Sequence, residues 1–436
     1  MISIWTTDQL LIFTGICNII HYMNENHSGY ELIYRKRLIG DRVKSALIDF
    51  PVVIITGARQ VGKSTFLEKE FPDFKYINLD DFSFLEQAKR DPYSLWVDTD
   101  RVIIDEVQKV PELLSMVKLS VDRTKREIRF ILSGSSNLLL MKGISETLAG
   151  RAIYFEMYPM TYGEMIGDLS GKERFISLLK GEKLINQNVE KLDYIPVMFN
   201  GFMPPIIHIQ ETDNIILWWE SYIKTYMERD LRELSQIDSL IDFRKVMNSI
   251  ALRTGSITNQ TEIAREVGIS QPTVHRYIKL LETSNMLKRV QSYFSNRLKR
   301  VIKSPKFFFI DPALSIHLSS YFDKDTLRKA RELGGFFENM IYLHLLVYSQ
   351  LLIPKTDIYY WRTTAGKEVD FILEWGNRLF AFEVKLTQNP SYRDINGLLS
   401  FMEDYPETIM GILIYTGDTL RYLHSRIIAI PWWWIV

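Results

Sequence analysis

The eight residues 57–64 read GARQVGKS, and they stand between the apolar run VVIIT at 52–56 and the stretch STFLEKEF at 64–71. These flanks predict a buried strand before the loop and a helix after it. Glycines let such a loop curl until its N–H groups surround a phosphate, to which the helix N-terminus adds its positive dipole end. The lysine then reaches the β- and γ-phosphates of a nucleotide, and the serine hydroxyl can bind Mg²⁺. The predicted nucleotide-binding residues are Gly57, Ala58, Arg59, Gln60, Val61, Gly62, Lys63, Ser64 and Thr65.

A second apolar run, RVIID at residues 101–105, is followed by another acid, Glu106. In the predicted sheet Asp105 would hold Mg²⁺ through its water shell, together with the Ser64 hydroxyl. Glu106 would lie beside the γ-phosphate and polarise the attacking water. The two runs together therefore predict ATP and Mg²⁺ as ligands and ATP hydrolysis as the activity, with Lys63 and Glu106 as catalytic residues.

The composition is that of a globular chain of 436 residues, with 46% hydrophobic residues, 24% charged residues and zero net charge. This length predicts two to four domains at about 100–200 residues each. The single cysteine, Cys17, excludes an intrachain disulfide and favours a cytoplasmic location. The apolar run at residues 10–20 is too short to span a bilayer and lacks the flanks of a secretory signal, so we expect no membrane partner. Translation is expected to start at Met1 or at Met23.

The pattern along the chain predicts an α/β protein of several domains. Short β-branched runs that alternate with helix-like stretches indicate the parallel sheet of a P-loop NTPase. A helical stretch, a basic helix–turn–helix-like stretch and a final region of helices and hairpin-like strands follow. The predicted domains are an N-terminal segment at 1–45, a P-loop core at 46–162, a helical lid at 163–242, a winged helix–turn–helix at 243–310 and an α/β domain at 311–436.

Motifs spread from residue 57 to residue 385 resemble those of prokaryotic AAA-type P-loop ATPases whose C-terminal region has a restriction-endonuclease-like fold. They are GARQVGKST, VIIDEVQKVPEL, ILSGSSN, LAGR, WESYIKTYMERD, WRTTAGKEVDFIL and FEVK. The resemblance implies that a polar residue at the end of the third strand, Ser133 or Ser135, contacts the γ-phosphate or the attacking water. It also implies that Arg151 stabilises the transferring phosphoryl group, within one chain or across a subunit boundary of a homo-oligomer.

Residues 261–281 have the pattern of a helix–turn–helix. Gly268 supplies the turn, and Ser270 caps a second helix that carries Pro272 in its first turn. Residues 252–306 contain eleven Lys/Arg residues and three Asp/Glu residues. This excess of positive charge favours binding to a polyanion such as double-stranded DNA. A structural adaptor with a solvated charged face is the alternative. The predicted DNA contacts are Gln271, Thr273, Arg276, Lys299 and Arg300.

The runs EVDFILE at 368–374 and FAFEVK at 380–385 predict two neighbouring strands. Residues two apart on a strand share a face, so Glu383 and Lys385 point the same way and Asp370 lies beside them. This is the D…E-x-K pattern of restriction-endonuclease-like enzymes, in which carboxylates hold Mg²⁺ and the lysine orients a water. Glu338 matches the additional acid that such folds often carry, so the candidate nuclease site is Glu338, Asp370, Glu383 and Lys385. A scaffold that binds without cleaving is the alternative.

These features favour a DNA-associated ATPase in which nucleotide binding changes how the protein engages nucleic acid. Two other interpretations stay open at this point. One is a magnesium-dependent nuclease gated by ATP, and the other is a signalling switch that binds a protein partner. The sequence does not separate them, because all three share the nucleotide site.

Overall fold

The first sheet contains five parallel strands and carries the phosphate loop. The computed structural model describes residues 34–134, 147–182, 184, 192–225, 237–296, 300 and 304–436. Contacts divide the chain into Met1–Tyr34 and Arg35–Val436, and both sheets belong to the second unit. The elements of the first sheet are α1 (Gly40–Asp49), β1 (Val52–Thr56), α2 (Lys63–Glu70), β2 (Lys75–Asn78), α3 (Phe82–Arg90), β3 (Arg101–Asp105), α4 (Leu113–Arg123), β4 (Arg129–Ser133) and β5 (Ala152–Glu156).

The strand order β2-β3-β4-β1-β5 places β4 between the strand before the phosphate loop and the strand that ends in Asp105. Every residue of β1 is buried, as expected for a continuous apolar run in a parallel sheet covered on both faces. Because all five strands run the same way, the carboxyl ends of β1, β3 and β4 meet at one edge. That edge holds the candidate nucleotide site.

Helices follow the first sheet and lead to a hairpin. They are α5 (Tyr162–Ile166), α6 (Ser170–Lys180), α7 (Tyr194–Asn200), α8 (Thr212–Tyr222), α9 (Leu240–Ala251), α10 (Gln260–Val267) and α11 (Gln271–Thr283). The turn between α10 and α11 uses Gly268 at φ +81°, and the Ser270 side chain accepts a hydrogen bond from the backbone N–H of Thr273. The antiparallel strands β6 (Leu287–Ser292) and β7 (Lys306–Phe309) come next.

The second sheet has eight strands in the order β12-β13-β11-β10-β9-β8-β6-β7. Its remaining elements are α12 (Pro312–Leu318), α13 (Lys324–Arg328), α14 (Leu333–Leu351), β8 (Asp357–Arg362), β9 (Glu368–Trp375), β10 (Arg378–Lys385), α15 (Asn396–Asp404), β11 (Thr408–Tyr415), β12 (Arg421–His424), β13 (Ile427–Pro431) and α16 (Trp432–Ile435). Strand β6 pairs in parallel with β8, through Gln291 with Tyr359 and Ser292 with Tyr360. The domain boundary expected at residue 310 therefore cuts a continuous sheet, and the hairpin that we expected to be a separate wing is part of that sheet.

Helix α14 is almost entirely buried, and its His344 connects it to the segment after the first sheet. The backbone N–H of Tyr162 donates to His344 Nε2 at 2.9 Å, so this nitrogen is an acceptor. Nδ1 must then carry the proton that it donates to the Met340 carbonyl at 2.8 Å. Complete burial lowers the pKa of His344 to about 4, because the charged ring would lose its hydration. Within the described ranges, no helix is both long and apolar enough to cross a membrane.

Candidate nucleotide site and acidic cluster

Backbone geometry shapes the phosphate loop at residues 57–62. Gly57 has φ +149°, and a Cβ on it would lie 2.3 Å from the carbonyl oxygen of Met157, so only glycine fits there. Gly62 has φ +87° and immediately precedes the first residue of α2. Gln60, although not a glycine, also has a positive φ of 66°. The loop therefore turns sharply into the N-terminus of α2, where free N–H groups favour an anion.

Lys63 lies buried beneath this loop. Its Nζ donates to the carbonyl oxygens of Gly57 at 3.0 Å and Ala58 at 2.8 Å, and its side chain is almost inaccessible to solvent. Burial lowers the pKa of Lys63 to about 8, partly offset by the negative charges of Glu106 and Asp105. Phosphate oxygens are stronger acceptors than amide carbonyls for such an ammonium, so the lysine is positioned to bind them.

Asp105 ends β3 inside the site and makes a contact that sequence patterns did not predict. Its Oδ2 accepts a hydrogen bond of 2.6 Å from the Tyr76 hydroxyl, and the Ser64 side chain also interacts with that hydroxyl. Burial and the nearby Asp105 charge raise the pKa of Tyr76, so the phenol keeps its proton and remains a donor. The sequence held no signal for this contact, because the pairing of β2, which carries Tyr76, with β3 is seen only in the structure.

Glu106 follows β3 in a left-handed backbone conformation, φ 53° and ψ 40°. Such a conformation costs about 1–3 kcal/mol for a non-glycine residue and often marks a functional position. Its backbone N–H donates to Asp105 Oδ1 at 3.0 Å, and its carboxylate accepts a hydrogen bond from the Gln108 side chain. Burial, and then the charge of Asp105, raise the pKa of Glu106. A carboxylate with a raised pKa is a better proton acceptor near neutral pH.

Ser133 and Arg151 lie at opposite edges of the first sheet. Ser133 ends β4 at the carboxyl edge, pairs with Ile55 and is fully buried, and its hydroxyl has no hydrogen-bond partner within the described residues. Arg151 immediately precedes β5, whose Ala152 pairs with Val52 at the start of β1. The five residues of β1, about 16 Å of strand, separate this end of the sheet from the phosphate loop. Ser135 lies outside the described residues.

The expected role of Arg151 within one chain is thus contradicted by its place in the sheet. Its guanidinium instead forms two hydrogen bonds with the Asp122 carboxylate, of 2.8 and 2.9 Å. A role across a subunit boundary stays a prediction.

Arg37 is a second residue that the sequence did not point to. Its guanidinium donates to the carbonyl oxygens of Val61 and Tyr158, both at 2.7 Å, and to Glu164 Oε1 at 3.2 Å. Glu164 also closes a capping box with Thr161 at the start of α5. The pattern T-x-x-E at 161–164 was the available signal for that helix start. The buried Arg37–Glu164 pair therefore ties the phosphate loop to the helices after the sheet.

Two contacts connect the phosphate loop and its neighbouring strand to β6 of the second sheet. The hydroxyl of Tyr222, on α8, lies 3.2 Å from the Arg59 carbonyl oxygen and 3.5 Å from the Met286 sulfur, next to the start of β6. Lys288, on β6, pairs at 2.5 Å with Glu156, the last residue of β5. Trp219 and Tyr222 are both buried on the same face of α8.

The predicted DNA-contacting residues do not form one basic surface. Gln271 and Arg276 are exposed on α11 and Thr273 is half-buried, but Arg276 pairs with Asp238 at 2.5 Å. Eight of the eleven basic residues between 252 and 306 lie in the described ranges, and six of these form ion pairs with acids. The six are Arg253, Arg276, Lys288, Arg289, Arg300 and Lys306.

Arg300 was expected on an exposed wing, and the structure contradicts that position. It is 5% exposed, pairs with Glu374 at 2.7 Å, and its guanidinium lies 4.5 Å from the ring centre of Tyr293. A buried, paired guanidinium is not available to a phosphate in this conformation. Lys299 lies outside the described residues.

The four candidate nuclease residues do come together, at the face where α14 meets β9 and β10. Asp370 Oδ2 accepts a hydrogen bond of 2.8 Å from the Val384 N–H, and Lys385 pairs at 2.5 Å with Glu383. Burial, followed by the charge of Asp370, raises the pKa of Glu383 to about 8. Glu338 interacts electrostatically with Asp370 and Glu383, and its pKa is raised well above the ordinary value, chiefly by burial.

A fifth side chain, Lys306 from β7, stands among these carboxylates. Its Nζ lies 2.5 Å from Glu368 and 3.6 Å from both Glu338 and Asp370. Among the described residues, no group of three or more His, Cys, Asp or Glu side chains is arranged to hold a metal ion. The magnesium site expected of a nuclease stays a prediction.

Three family models match separate parts of the chain. An AAA domain matches residues 49–166, a domain of unknown function (DUF8612) matches 191–325, and another (DUF4143) matches 333–435. An uncharacterized protein of Mycobacterium tuberculosis is 26% identical over 404 residues, which cover 92% of this chain and 84% of that protein. An uncharacterized protein of Methanocaldococcus jannaschii is 24% identical over 411 residues, covering 88% of this chain and 86% of that protein.

A Walker-type ATPase of Pyrococcus abyssi is a structural neighbour with a TM-score of 0.42 and 16% identity, covering 65% of this chain and 96% of its own. The family match and the loop, strand and acid geometry agree on residues 49–166. The match supports the prediction of an AAA-type P-loop domain in this part of the chain.

Proposed function

We propose that this protein is a magnesium-dependent ATPase that works as a nucleotide-driven switch. The observation that carries the proposal is the convergence of Lys63, Asp105, Glu106 and Ser133 at one edge of the first sheet. Phosphoryl transfer to water needs a cation that binds the phosphates, a carboxylate that binds the metal, a proton acceptor and a hydroxyl that is free to donate a hydrogen bond. These four residues supply those groups in that order.

Each residue then has one role. The ammonium of Lys63 binds the β- and γ-phosphate oxygens after leaving the loop carbonyls. Glu106 orients the attacking water and accepts its proton, and Ser133 donates to the γ-phosphate or to that water. Hydroxyl and carboxylate oxygens are the ligands that Mg²⁺ prefers, so Ser64 and Asp105 fit this ion. When bound, Mg²⁺ would neutralise charge on the β- and γ-phosphate oxygens.

The switch is supported by the contacts that leave the phosphate loop. A movement of the Arg59 backbone would be transmitted to Met286 by the Tyr222 side chain, which contacts both. A movement of the end of β5 would be transmitted to β6 by the ion pair of Glu156 and Lys288. Strand β6 lies in the second sheet, so nucleotide-dependent shifts at the loop have a direct route to the C-terminal region.

The test is ATP hydrolysis by the full chain, with and without Mg²⁺, beside Lys63→Ala. We expect turnover only with Mg²⁺ and a loss of at least a hundredfold in kcat/KM for the variant. Turnover that survives Lys63→Ala would place the activity elsewhere and overturn the proposal. Equal unfolding temperatures of the two proteins serve as the control for folding.

Double-stranded DNA is the partner that one specific observation favours. Helix α11 is capped by Ser270 and presents Gln271, His275 and Lys279 to solvent, and these residue types contact base edges and phosphates. Most of the basic residues nearby form ion pairs with acids of the same chain. DNA binding would therefore depend on the exposed side chains of α11 rather than on the excess of basic residues in this region. Lys279→Ala is expected to weaken duplex binding and reduce its salt dependence, whereas Lys89→Ala, an exposed lysine on α3, is not. Equal binding by both variants would favour a protein partner instead.

A further inference from the structure

The side chain of Gln108 contacts the carboxylate to which the activation of water is assigned. Its amide nitrogen donates a hydrogen bond to Glu106 Oε2, and both side chains are half-buried. The backbone N–H of Glu106 is directed elsewhere, to Asp105 Oδ1 at 3.0 Å. Because the amide engages Oε2, the second carboxylate oxygen, Oε1, is left to accept a hydrogen from the attacking water.

The turn after β3 holds Gln108 in this position. Glu106 has a left-handed backbone and precedes a short 3₁₀ helix, and the N–H of Lys109 donates to the Glu106 carbonyl oxygen at 3.0 Å. Val107 is fully buried in the core of the first sheet, while Lys109 forms an ion pair with Asp80 beyond the end of β2. The turn is thus anchored on both sides of Gln108, whose side chain reaches back to the carboxylate two residues earlier.

A carboxylate that activates water must present one oxygen in a fixed direction. The last torsion of a glutamate side chain has a broad distribution, so a carboxylate without a partner rotates among several orientations. A misplacement of about 1 Å in an active site can lower the rate about a hundredfold. The neighbouring charge of Asp105 repels the Glu106 carboxylate, whereas the Gln108 amide attracts it. The amide therefore opposes rotation of this group away from the water.

We infer that Gln108 is a positioning residue that fixes the orientation of the Glu106 carboxylate for the attack of water on the γ-phosphate. The inference rests on the proposed function, because it concerns the hydrolytic step of the same site. Gln108 acts through Glu106 rather than on the nucleotide. Loss of the amide therefore slows the hydrolysis of bound ATP and leaves the affinity for ATP unchanged.

Single-turnover hydrolysis of ATP by the full chain with Mg²⁺, together with the affinity for a fluorescent ATP analogue, tests this inference. The variants are Gln108→Met, Glu106→Gln and the double variant of both. Methionine keeps the length of glutamine and removes the donor. Gln108→Asn, which keeps the amide but shortens the side chain, is a second way to break the contact. Lys109→Met is the matched control, since it changes the next residue of the same turn and removes only an exposed ion pair.

We expect Gln108→Met and Gln108→Asn to hydrolyse bound ATP at least about tenfold more slowly than wild type, with unchanged affinity for the analogue. Lys109→Met should behave as wild type. Adding Gln108→Met to Glu106→Gln should cause no further loss, because a positioning residue acts only through the group that it positions. Equal unfolding temperatures confirm that the variants fold.

Three results would overturn the inference. They are a folded Gln108 variant with the wild-type rate, the same loss from Gln108→Met with and without Glu106→Gln, and a control variant as slow as Gln108→Met. The second result would show that Gln108 acts independently of the carboxylate, and the third that the turn as a whole is responsible. Failure of the proposed function looks different, because Glu106→Gln itself would then hydrolyse ATP at the wild-type rate.

Discussion

A single hydroxyl, that of Tyr76, contacts both groups that we assign to magnesium. It donates to Asp105 and interacts with Ser64, so it fixes the carboxylate and orients the serine hydroxyl. A serine that directs its hydrogen to Tyr76 keeps its lone pairs for the metal. Tyr76 is a positioning residue in this account, since it acts through the two ligands rather than on the substrate.

Tyr76→Phe removes this hydroxyl and keeps the ring. A hydrogen bond to a charged group contributes about 1.5–3 kcal/mol, so we expect the Mg²⁺ concentration for half-maximal ATPase rate to rise about tenfold. Nucleotide binding measured without Mg²⁺ should not change. Tyr93→Phe, at an exposed tyrosine of the same domain, is the control. An unchanged Mg²⁺ requirement in Tyr76→Phe would show that the hydroxyl does not position the ligands.

Two buried histidines make stability depend on pH. Burial lowers the pKa of both His344 and His317 to about 4, against about 6.5 in the unfolded chain. A group with a lowered folded pKa contributes stability above its unfolded pKa and loses it as pH falls from about 6.5 toward 4. Protonation of each histidine should therefore lower the free energy of unfolding by about 1 kcal/mol between pH 7.5 and pH 5.5.

Urea unfolding of wild type and His344→Gln at these two pH values measures the effect. Glutamine can accept the Tyr162 N–H but does not titrate, so the variant should lose less stability on acidification than wild type. If both proteins lost the same amount, His344 would not be a neutral buried group in the folded state.

Helix α5 depends on the ion pair of Arg37 and Glu164, and both partners are buried. Replacing one partner leaves the other charge buried without its counter-charge, at a cost of about 3–5 kcal/mol. Arg37→Met should therefore lower stability by this amount, and Arg37→Met with Glu164→Met should recover part of the loss. Thermal or urea unfolding of the two single variants and the double variant gives the coupling energy. Additive effects would contradict a specific pair.

At the level of elements, sequence patterns predicted the phosphate loop, the strand before it and the helix after it, because the residues that form each pattern are close together in the chain. The run VVIIT, the glycines and Lys63 lie within thirteen residues, so periodicity and motif describe them together. Strand pairing was different: Gln291 pairs with Tyr359 across the hairpin and α14. Alternation of side chains shows that a segment is a strand, but it does not show which strand lies beside it.

The same limit explains the errors at single residues. Lys306 and Arg300 were counted as surface charges, because a basic residue is usually exposed and its sequence neighbours do not reveal a distant acid. Their partners Glu368 and Glu374 follow more than sixty residues later. The position of Arg151 was mispredicted because the LAGR motif gives only its distance along the chain from the phosphate loop. The motif does not give the edge of the sheet at which the arginine lies.

At the scale of the whole molecule, the nucleotide site and the second sheet are connected through few side chains. Tyr222 lies between the Arg59 carbonyl of the phosphate loop and Met286, the residue before β6, and Glu156 of β5 pairs with Lys288 of β6. Strand β7 carries Lys306 to the carboxylates of Glu338, Glu368 and Asp370. This arrangement makes a hairpin of the second sheet the shared neighbour of both sites.

The central claim is that Glu106 activates the water that attacks ATP, and a single-turnover experiment with Glu106→Gln tests it most directly. Glutamine keeps the size of the side chain and removes the proton acceptor. We predict that the variant binds ATP and Mg²⁺ as tightly as wild type but hydrolyses the bound ATP at least a hundredfold more slowly. Hydrolysis at the wild-type rate in a variant with intact ATP binding would contradict the assignment of this edge of the sheet as the active site.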